Sequence, residues 1–337
     1  MIKVGLIGLG RMGKIYADIL HHNVSKASLV AACSIQPSEL DYARSIGIPS
    51  VYNQVDEMLS IESLDVLWVV SSTDQHVDHI IKGLEAGCHV FSEKPLATTV
   101  AKCLQVHKVA DRYPQQKVMV GFVRRYDESY RYAYDKVQSG AIGKPFLIRS
   151  QTVDKDDVKE FQIQYAGKSG GIFHDYNIHD IDLTRWLMGT EFSSVSALGG
   201  AYKYPSFADM GDADNVVTSC ELLDGSLAVI IASRTAMHGH DTYTEITGTK
   251  GSLLIGRPAQ RNRVEIYDEY GARRECLSGY MDRFDQAFVD MSKDFLDIIH
   301  HDRDVKMDIT NALKATEAAT AFTTSFREKR RARIEPM

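Results

Sequence analysis

The first twenty residues narrow the fold more than any other stretch. An apolar strand, Lys3 to Ile7, runs directly into Gly8-Leu9-Gly10-Arg11-Met12-Gly13, and the helical spacing Ile15, Ala17, Ile19, Leu20 follows. A strand, a Gly-x-Gly-x-x-Gly loop and a helix in immediate succession have a physical reading. The first glycine permits the tight turn, the second lets backbone approach a pyrophosphate, and the third lets the helix pack closely on the strand. The helix N-terminus adds N–H donors and a partial positive charge. Gly8, Gly10, Arg11, Met12 and Gly13 are therefore candidate dinucleotide contacts.

Beyond the loop, strands alternate with helices. Ser28 to Cys33, Asp65 to Val70, Cys88 to Ser92 and Lys117 to Gly121 read as strands, with helices ending at Ala86 and spanning Thr98 to Asp111. That alternation predicts a parallel, doubly wound sheet, a Rossmann architecture. The second strand ends at Ser34, followed by Ile35-Gln36-Pro37, where this fold usually places the acid that grips the adenosine ribose. With neither a carboxylate nor a following cation there, NAD and NADP both stay open. NAD is favoured, because preferring NADP calls for a nearby cation.

The third of these strands runs into Ser71-Ser72-Thr73-Asp74-Gln75-His76. Ser72 or Thr73 is expected to cap the next helix, and Ser71, Ser72 and Thr73 to touch the cofactor. His76, one turn into that helix, is either a cofactor contact or a solvated surface histidine. The next strand closes on Ser92-Glu93-Lys94-Pro95-Leu96. Proline locks its own φ and pushes the preceding residue towards extended backbone, so Lys94 leaves the strand in a set direction. It does so at the carboxyl edge of the sheet, where ligands collect. Glu93 and Lys94 join the candidate cofactor set.

A first domain over residues 1–122 is expected to end at Phe122-Val123-Arg124-Arg125-Tyr126-Asp127, with a second over 123–337. Arg124 and Tyr126 are candidates for holding cofactor or substrate at an interdomain cleft. The densest polar cluster lies in the second domain, in Ser169-Gly170-Gly171-Ile172-Phe173-His174-Asp175-Tyr176-Asn177-Ile178-His179-Asp180-Ile181-Asp182 and the residues after it. Ile178, Ile181, Asp182 and Arg185 show the helical step, which puts Asp175 and His179 on one face. A carboxylate beside an imidazole fixes its tautomer and raises its basicity, as suits a general acid/base. A metal site from His174, Asp175, His179 and Asp182, and a purely structural polar face, are rival readings; no histidine or cysteine elsewhere completes a tetrahedral set.

From Ser193 to Tyr267 short alternating strands predominate, Val216 to Leu222, Ser226 to Ser233, Thr242 to Thr247, Ser252 to Ile255 and Arg263 to Tyr267, with turns at Asp224-Gly225 and Lys250-Gly251. They predict an α+β domain with a mostly antiparallel open sheet and helices on one side. His240, in the loop Met237-His238-Gly239-His240-Asp241, faces either the substrate or solvent. Helices from Asp282 through Ile299 and from Thr310 to Arg327 finish the chain.

Bulk properties exclude several classes. The net charge of −6, from 39 basic and 45 acidic residues without long runs of either sign, argues against nucleic-acid and membrane-surface partners. The five cysteines are odd in number and scattered, so reduced thiols are expected rather than a disulfide framework or a CxxC metal site. No apolar run approaches a membrane span, Met1-Ile2-Lys3-Val4 goes straight into a strand, and a cytoplasmic location is expected.

In combination these segments resemble the Gfo/Idh/MocA family of nicotinamide-dependent sugar and polyol oxidoreductases. The glycine loop at 8–13, Glu93-Lys94-Pro95, Gly121-Phe122-Val123-Arg124-Arg125-Tyr126-Asp127 and the His-Asp-x-x-x-His-Asp run at 174–180 occur in the family's order, and the likeness covers nearly the whole chain. The third and fourth segments are most similar to inositol 2-dehydrogenases. Ser34 replaces the ribose-binding acid of many members, and Val123 and Asp154 stand where related inositol enzymes often carry other residues. The resemblance implies a catalytic trio of Lys94, Asp175 and His179, with Lys94, Tyr126, Asp154, Asp175, Tyr176, His179 and His240 around a cyclic polyol. It also implies NAD-linked oxidation of myo- or scyllo-inositol to the keto-inositol, without a metal, and a dimer or tetramer built through the second domain. A related sugar or dihydrodiol dehydrogenase, and a nucleotide-binding sensor without turnover, are the alternatives.

Overall fold

A computed structural model describes residues 1–158, 160–257 and 259–334. Contacts divide the chain into two compact units, Met1–Val123 with Phe288–Thr316, and Arg124–Ala287 with Glu317–Met337.

The first unit opens with β1 (Ile2–Ile7), α1 (Arg11–His22), β2 (Ala27–Cys33), α2 (Pro37–Ser45), β3 (Ser50–Tyr52) and α3 (Val55–Ile61). It continues with β4 (Val66–Val69), α4 (His76–Glu85), β5 (His89–Ser92), α5 (Val100–Ala110) and β6 (Val118–Val120). All neighbouring strands are parallel, in the order β3-β2-β1-β4-β5-β6. Helices on both faces make the central strands continuously apolar: Val4, Leu6 and Val66 through Val69 are fully buried. Strand order reverses between β1 and β4, where Ile7 is in register with both Cys33 and Val69, so the loops after β1, β2 and β4 meet at the switch point. An aromatic core holds this edge, with Trp68 stacked on Phe91 at 4.2 Å and Tyr16 edge-on to Phe91 at 5.4 Å.

The second unit begins with α6 (Glu128–Gln138), β7 (Pro145–Lys155), α7 (Glu160–Ser169), α8 (Gly171–Asp175), α9 (Asn177–Met188) and β8 (Phe192–Gly200). Next come α10 (Ser206–Asp209), β9 (Asn215–Leu222), β10 (Leu227–Ala236), β11 (Asp241–Gly248), β12 (Gly251–Ile255), β13 (Ile266–Asp268) and β14 (Gly271–Arg273). The chain ends with α11 (Met281–His300), α12 (Ile309–Glu328) and β15 (Ala332–Arg333), the unit boundaries falling inside both helices. Strand order is β12-β11-β7-β10-β9-β8-β15, and of its pairs β7 with β10 is parallel and the others antiparallel. Val216, Cys220 and Leu222 of β9 and Ala228, Ile230 and Ala232 of β10 point to the buried face, against which α9 packs.

Both sheets match the expected fold class. One strand departs from it: the expected Arg263 to Tyr267 strand is Ile266–Asp268, paired with Gly271–Arg273 in a separate exposed hairpin. No helix among the described residues is long and apolar enough to cross a membrane.

Candidate functional site

The glycine loop has the geometry that its spacing implies. Gly8 adopts φ +87°, and a Cβ there would lie 2.5 Å from the Val70 carbonyl oxygen. A Cβ on Gly13 would lie 1.9 Å from the Gly8 carbonyl oxygen, so only glycine lets α1 start against β1. Gly10 differs. A Cβ there would meet nothing nearer than Glu39 Oε1 at 3.8 Å, so the loop's outer side is open to a ligand. Gly10 caps α1 without a side-chain hydrogen bond, and the first turn carries no acid. Open space, a helix N-terminus without a side-chain cap and no acid in that turn fit a pyrophosphate.

The surrounding loops complete this edge. Ser71 Oγ hydrogen-bonds His79 Nδ1 at 2.8 Å. Thr73 is buried and Ser72 exposed, and Thr73–Gln75 forms a short 3₁₀ turn that Ser72 precedes without a side-chain cap bond. The N-cap of α4 is thus Gln75 rather than the expected Ser72 or Thr73, because the chain tightens into this turn before α4 begins. Ser34 is buried, and its hydroxyl donates to Glu39 Oε2 at 2.5 Å.

The lysine turn is held from two sides. Glu93 is buried; its Oε1 accepts from Tyr16 OH at 2.5 Å and its Oε2 from the Lys94 backbone N–H at 3.0 Å. His76, the first residue of α4 and only 1% exposed, is not a surface histidine. Its Nδ1 lies 2.9 Å from the Pro95 carbonyl and its Nε2 3.1 Å from that of Ser71. Burial pushes its pKa down to about 4, more than the two carbonyls raise it. A neutral ring donates to one carbonyl at a time, and in either tautomer it ties a cofactor-edge loop to the Lys94–Pro95 turn. The Lys94–Pro95 peptide is cis.

In the second unit, Asp180 is the hub. Fully buried, it accepts hydrogen bonds from Ser150 Oγ at 2.7 Å, Thr152 Oγ1 at 2.7 Å, Arg124 Nη1 at 3.1 Å and Asn177 Nδ2 at 3.3 Å. These bonds lock the first turn of α9 onto β7 and orient its neighbour His179. Arg124 is correspondingly engaged with Asp180 and Thr152, and Arg125 forms a bidentate pair with Asp182 at 2.6 and 2.8 Å. Tyr126 follows them, half-buried.

Asp175 and His179 do not sit on one continuous helix. Asp175 ends α8 and His179 is the third residue of α9, with Tyr176 between the helices at φ −96°, ψ −60°. The helix breaks because Asn177 starts a new turn anchored on Asp180, while α8 is fixed separately by Asp212, whose Oδ1 accepts from the Ile172 N–H at 2.9 Å. His174 turns inward to the Gly170 carbonyl at 3.2 Å and Thr320 Oγ1 at 3.4 Å, and burial lowers its pKa to about 4. Among the described residues, no three His, Cys, Asp or Glu side chains are grouped to hold a metal ion.

An imidazole–carboxylate pair lies beside Tyr176 of the helix junction. His240, 1% exposed rather than solvated, places Nδ1 2.6 Å from Asp154 Oδ1. The Tyr176 phenol lies beside the same carboxyl. Burial pushes the Asp154 pKa up, but His240, the Arg124 charge and Tyr176 outweigh it, and the carboxyl titrates below its usual range. The Tyr176 phenol is raised by burial and by Asp154 and Asp175, and its ring lies against Arg234, 5.1 Å from the guanidinium, which in turn pairs with Asp212 at 2.9 Å. Asp154, Tyr176 and His240 thus come together beside Asp175. Asp180, Asp212 and Arg234 build this arrangement through partners that, Asn177 apart, lie 22 to 56 residues away, so local spacing does not reveal their role.

A hollow of about 600 Å³ in the first unit is lined by Met1, Lys26, Asp65 and His89, at the amino ends of the strands and away from this chemistry.

Comparison with known proteins agrees with the geometry. Residues 2–122 match the oxidoreductase family with an NAD-binding Rossmann fold, and residues 130–254 match the GFO/IDH/MocA C-terminal domain. The chain is 32% identical to a scyllo-inositol 2-dehydrogenase (NAD(+)) of Bacillus subtilis, over 97% of this chain and 94% of that protein. It is similar to the crystal structure of scyllo-inositol dehydrogenase from Lactobacillus casei with bound cofactor NAD(H) and scyllo-inositol, with TM-score 0.95, 35% identity and 99% coverage of each chain. It is also similar to myo-inositol 2-dehydrogenase from Lactobacillus plantarum, with TM-score 0.96, 33% identity and 99% coverage of each. A glycine loop at a parallel-sheet switch point, joined to a second unit whose fold and sequence follow these enzymes along their whole length, makes this chain a member of the GFO/IDH/MocA oxidoreductase family.

Proposed function

We propose that the protein oxidises a ring hydroxyl of a cyclic polyol, myo-inositol or scyllo-inositol, to the keto-inositol with NAD. The observation that carries the substrate class is the gathering of Asp154, Tyr176 and His240 at the α8–α9 junction next to Asp175. Vicinal hydroxyls require several donors and acceptors in fixed places, and a mixed wall of carboxylate, phenol and imidazole supplies both. The names of the relatives point the same way.

Gly8, Gly10, Arg11, Met12 and Gly13 hold the pyrophosphate, with Ser34, Ser71, Ser72 and Thr73 at the riboses. His76, Glu93 and Arg124 serve the cofactor by fixing the loops that meet it. Bound NAD supplies the hydride acceptor at C4 of its nicotinamide. His179 takes the proton from the substrate hydroxyl. Lys94, as the ammonium, stabilises the charge that develops on that oxygen, and Asp175 orients and polarises His179. Tyr126 joins Asp154, Tyr176 and His240 in holding the remaining hydroxyls.

Self-association belongs to the same reading. The face of the second sheet that α9 leaves uncovered carries Leu198, Val217, Leu227 and Leu254, 69%, 49%, 51% and 57% exposed, and Leu198 is in register with Val217. Apolar surface of this kind supports a homodimer or tetramer, which sedimentation velocity measures directly. Five cysteines that form no disulfide suit the reducing cytoplasm.

The test of function is a panel of myo-inositol, scyllo-inositol and glucose, each with NAD and NADP, followed at the absorbance of reduced nicotinamide. Turnover of an inositol with NAD is expected. Binding of NAD without turnover of either inositol would overturn the substrate assignment.

A further inference from the structure

We infer that Glu39, on α2, replaces the missing acid at the end of β2 and sets the preference for NAD over NADP. The inference rests on the reading above that the glycine loop binds a nicotinamide dinucleotide. A doubly wound fold selects NAD with a carboxylate at the end of its second strand, where it accepts hydrogen bonds from the adenosine ribose and repels a 2′-phosphate. Here that position is Ser34, whose short hydroxyl, already given to Glu39 Oε2 at 2.5 Å, does neither.

The carboxylate arrives from the adjoining helix instead. Glu39 lies in the first turn of α2, where a negative charge is favoured by the helix dipole, and its backbone N–H donates to the Gln36 carbonyl at 3.0 Å. Ser34 Oγ also accepts from the Gln36 N–H at 3.2 Å, so one hydroxyl ties the strand end, the turn and the Glu39 side chain together. That leaves Oε1, which lies 3.8 Å from where a Gly10 Cβ would stand, the nearest atom to the open side of the glycine loop. A half-buried carboxylate with one oxygen anchored and the other at the nucleotide edge is placed to take ribose hydroxyls. Lys14, a cation on the helix that follows the loop, lies over the Tyr42 ring at 4.9 Å, one turn further along α2. With glutamine in place of Glu39, Lys14 becomes the nearby charge that favours a 2′-phosphate.

The experiment is calorimetric titration of the full-length protein with NAD and with NADP, without substrate, for wild type, Glu39→Gln, Ser34→Ala and Glu39→Gln combined with Ser34→Asp. Wild type is expected to prefer NAD. Glu39→Gln should raise the Kd for NAD about tenfold and narrow the NAD:NADP ratio by at least that factor. Ser34→Ala, which loosens Glu39 without removing it, should shift the ratio the same way by a few-fold, and it carries the test should Glu39→Gln fail to fold. Restoration of the ratio by Ser34→Asp in the Glu39→Gln background would confirm that a carboxylate at this edge is what counts. An unchanged ratio in Glu39→Gln, or in Ser34→Ala where that is the folded variant, overturns the role of Glu39 alone. A wild type that binds neither nucleotide overturns the dinucleotide reading itself.

Discussion

His240 lies with its Nδ1 2.6 Å from Asp154 Oδ1, while its Nε2 is buried without a hydrogen-bond partner among the described residues. A buried imidazole nitrogen left unsatisfied costs free energy unless a ligand completes it. On the proposed function that ligand is a polyol hydroxyl. Replacing His240 by alanine should therefore raise KM for inositol by roughly tenfold, the worth of about one hydrogen bond, and leave the Kd for NAD unchanged. An unaltered KM in a folded variant would make the pair purely structural.

The two outer glycines of the loop and the middle one separate folding from binding. Gly13→Ala drives a methyl into the Gly8 carbonyl at 1.9 Å, so β1 and α1 must part. Both melting temperature and NAD affinity should fall. Gly10, at φ −65° and with only Glu39 Oε1 at 3.8 Å, accepts alanine without strain. Gly10→Ala should melt within about a degree of wild type and yet bind NAD at least tenfold more weakly. Equal affinity in Gly10→Ala would show that the pyrophosphate does not approach this backbone.

Asp180 presents the opposite case, a residue whose importance is structural first. Asp180→Asn leaves the Arg124 guanidinium buried against a neutral amide, and breaking a buried pair in this way costs about 3–5 kcal/mol. The denaturant midpoint of the variant should drop accordingly. Because the anchor of α9 on Ser150 and Thr152 is weakened, turnover should fall too.

These residues also show what the sequence could disclose. The glycine loop, the lysine turn and the Rossmann alternation were legible because each depends on neighbours within a few positions, through spacing, propensity and a fixed proline φ. Asp180 was not, since its partners Arg124, Ser150 and Thr152 lie on other elements, and His-Asp-x-x-x-His-Asp draws the eye to Asp175 and His179. The break at Tyr176 was hidden for a related reason. Helical periodicity continues through 172–185, and only the separate anchors Asp212 and Asp180 divide it. For His76 a cofactor contact and a surface position stay open in the sequence, because nothing local reveals that Pro95 and Ser71 enclose it. Glu39 was invisible because the residues 34–61 offer weak periodicity, and α2, β3 and α3 were not foreseen.

His76 and His174 make stability depend on acid. Burial lowers both from 6.5 to about 4. For a histidine whose folded pKa is depressed, the unfolded chain binds the proton first, so stability is full above pH 6.5 and declines as pH falls towards 4. Each ring contributes a loss of about 3 kcal/mol across that window. Urea midpoints measured between pH 7 and pH 4.5 should fall steeply in wild type and less steeply in His174→Gln, whose amide stays neutral throughout. Parallel slopes for the two proteins would mean that His174 is not the buried neutral ring described here.

Lys94 and His179 are distinguished by what each variant keeps. The Lys94 backbone is fixed by Glu93, with Pro95 tied to His76, so Lys94→Met should fold normally and hold NAD nearly as tightly as wild type. If the ammonium stabilises the developing oxyanion, kcat should fall by roughly 10²–10³, the range for loss of one such stabilising group. His179→Ala should likewise bind NAD and lose about 10²–10⁴ in kcat, but its residual rate should rise with pH as hydroxide replaces the missing base. Stopped-flow measurement of reduced nicotinamide formation against pH separates the two roles. A Lys94→Met variant that loses NAD affinity while keeping kcat would recast the lysine as a cofactor anchor, and a His179→Ala variant with wild-type turnover would remove the histidine from proton transfer.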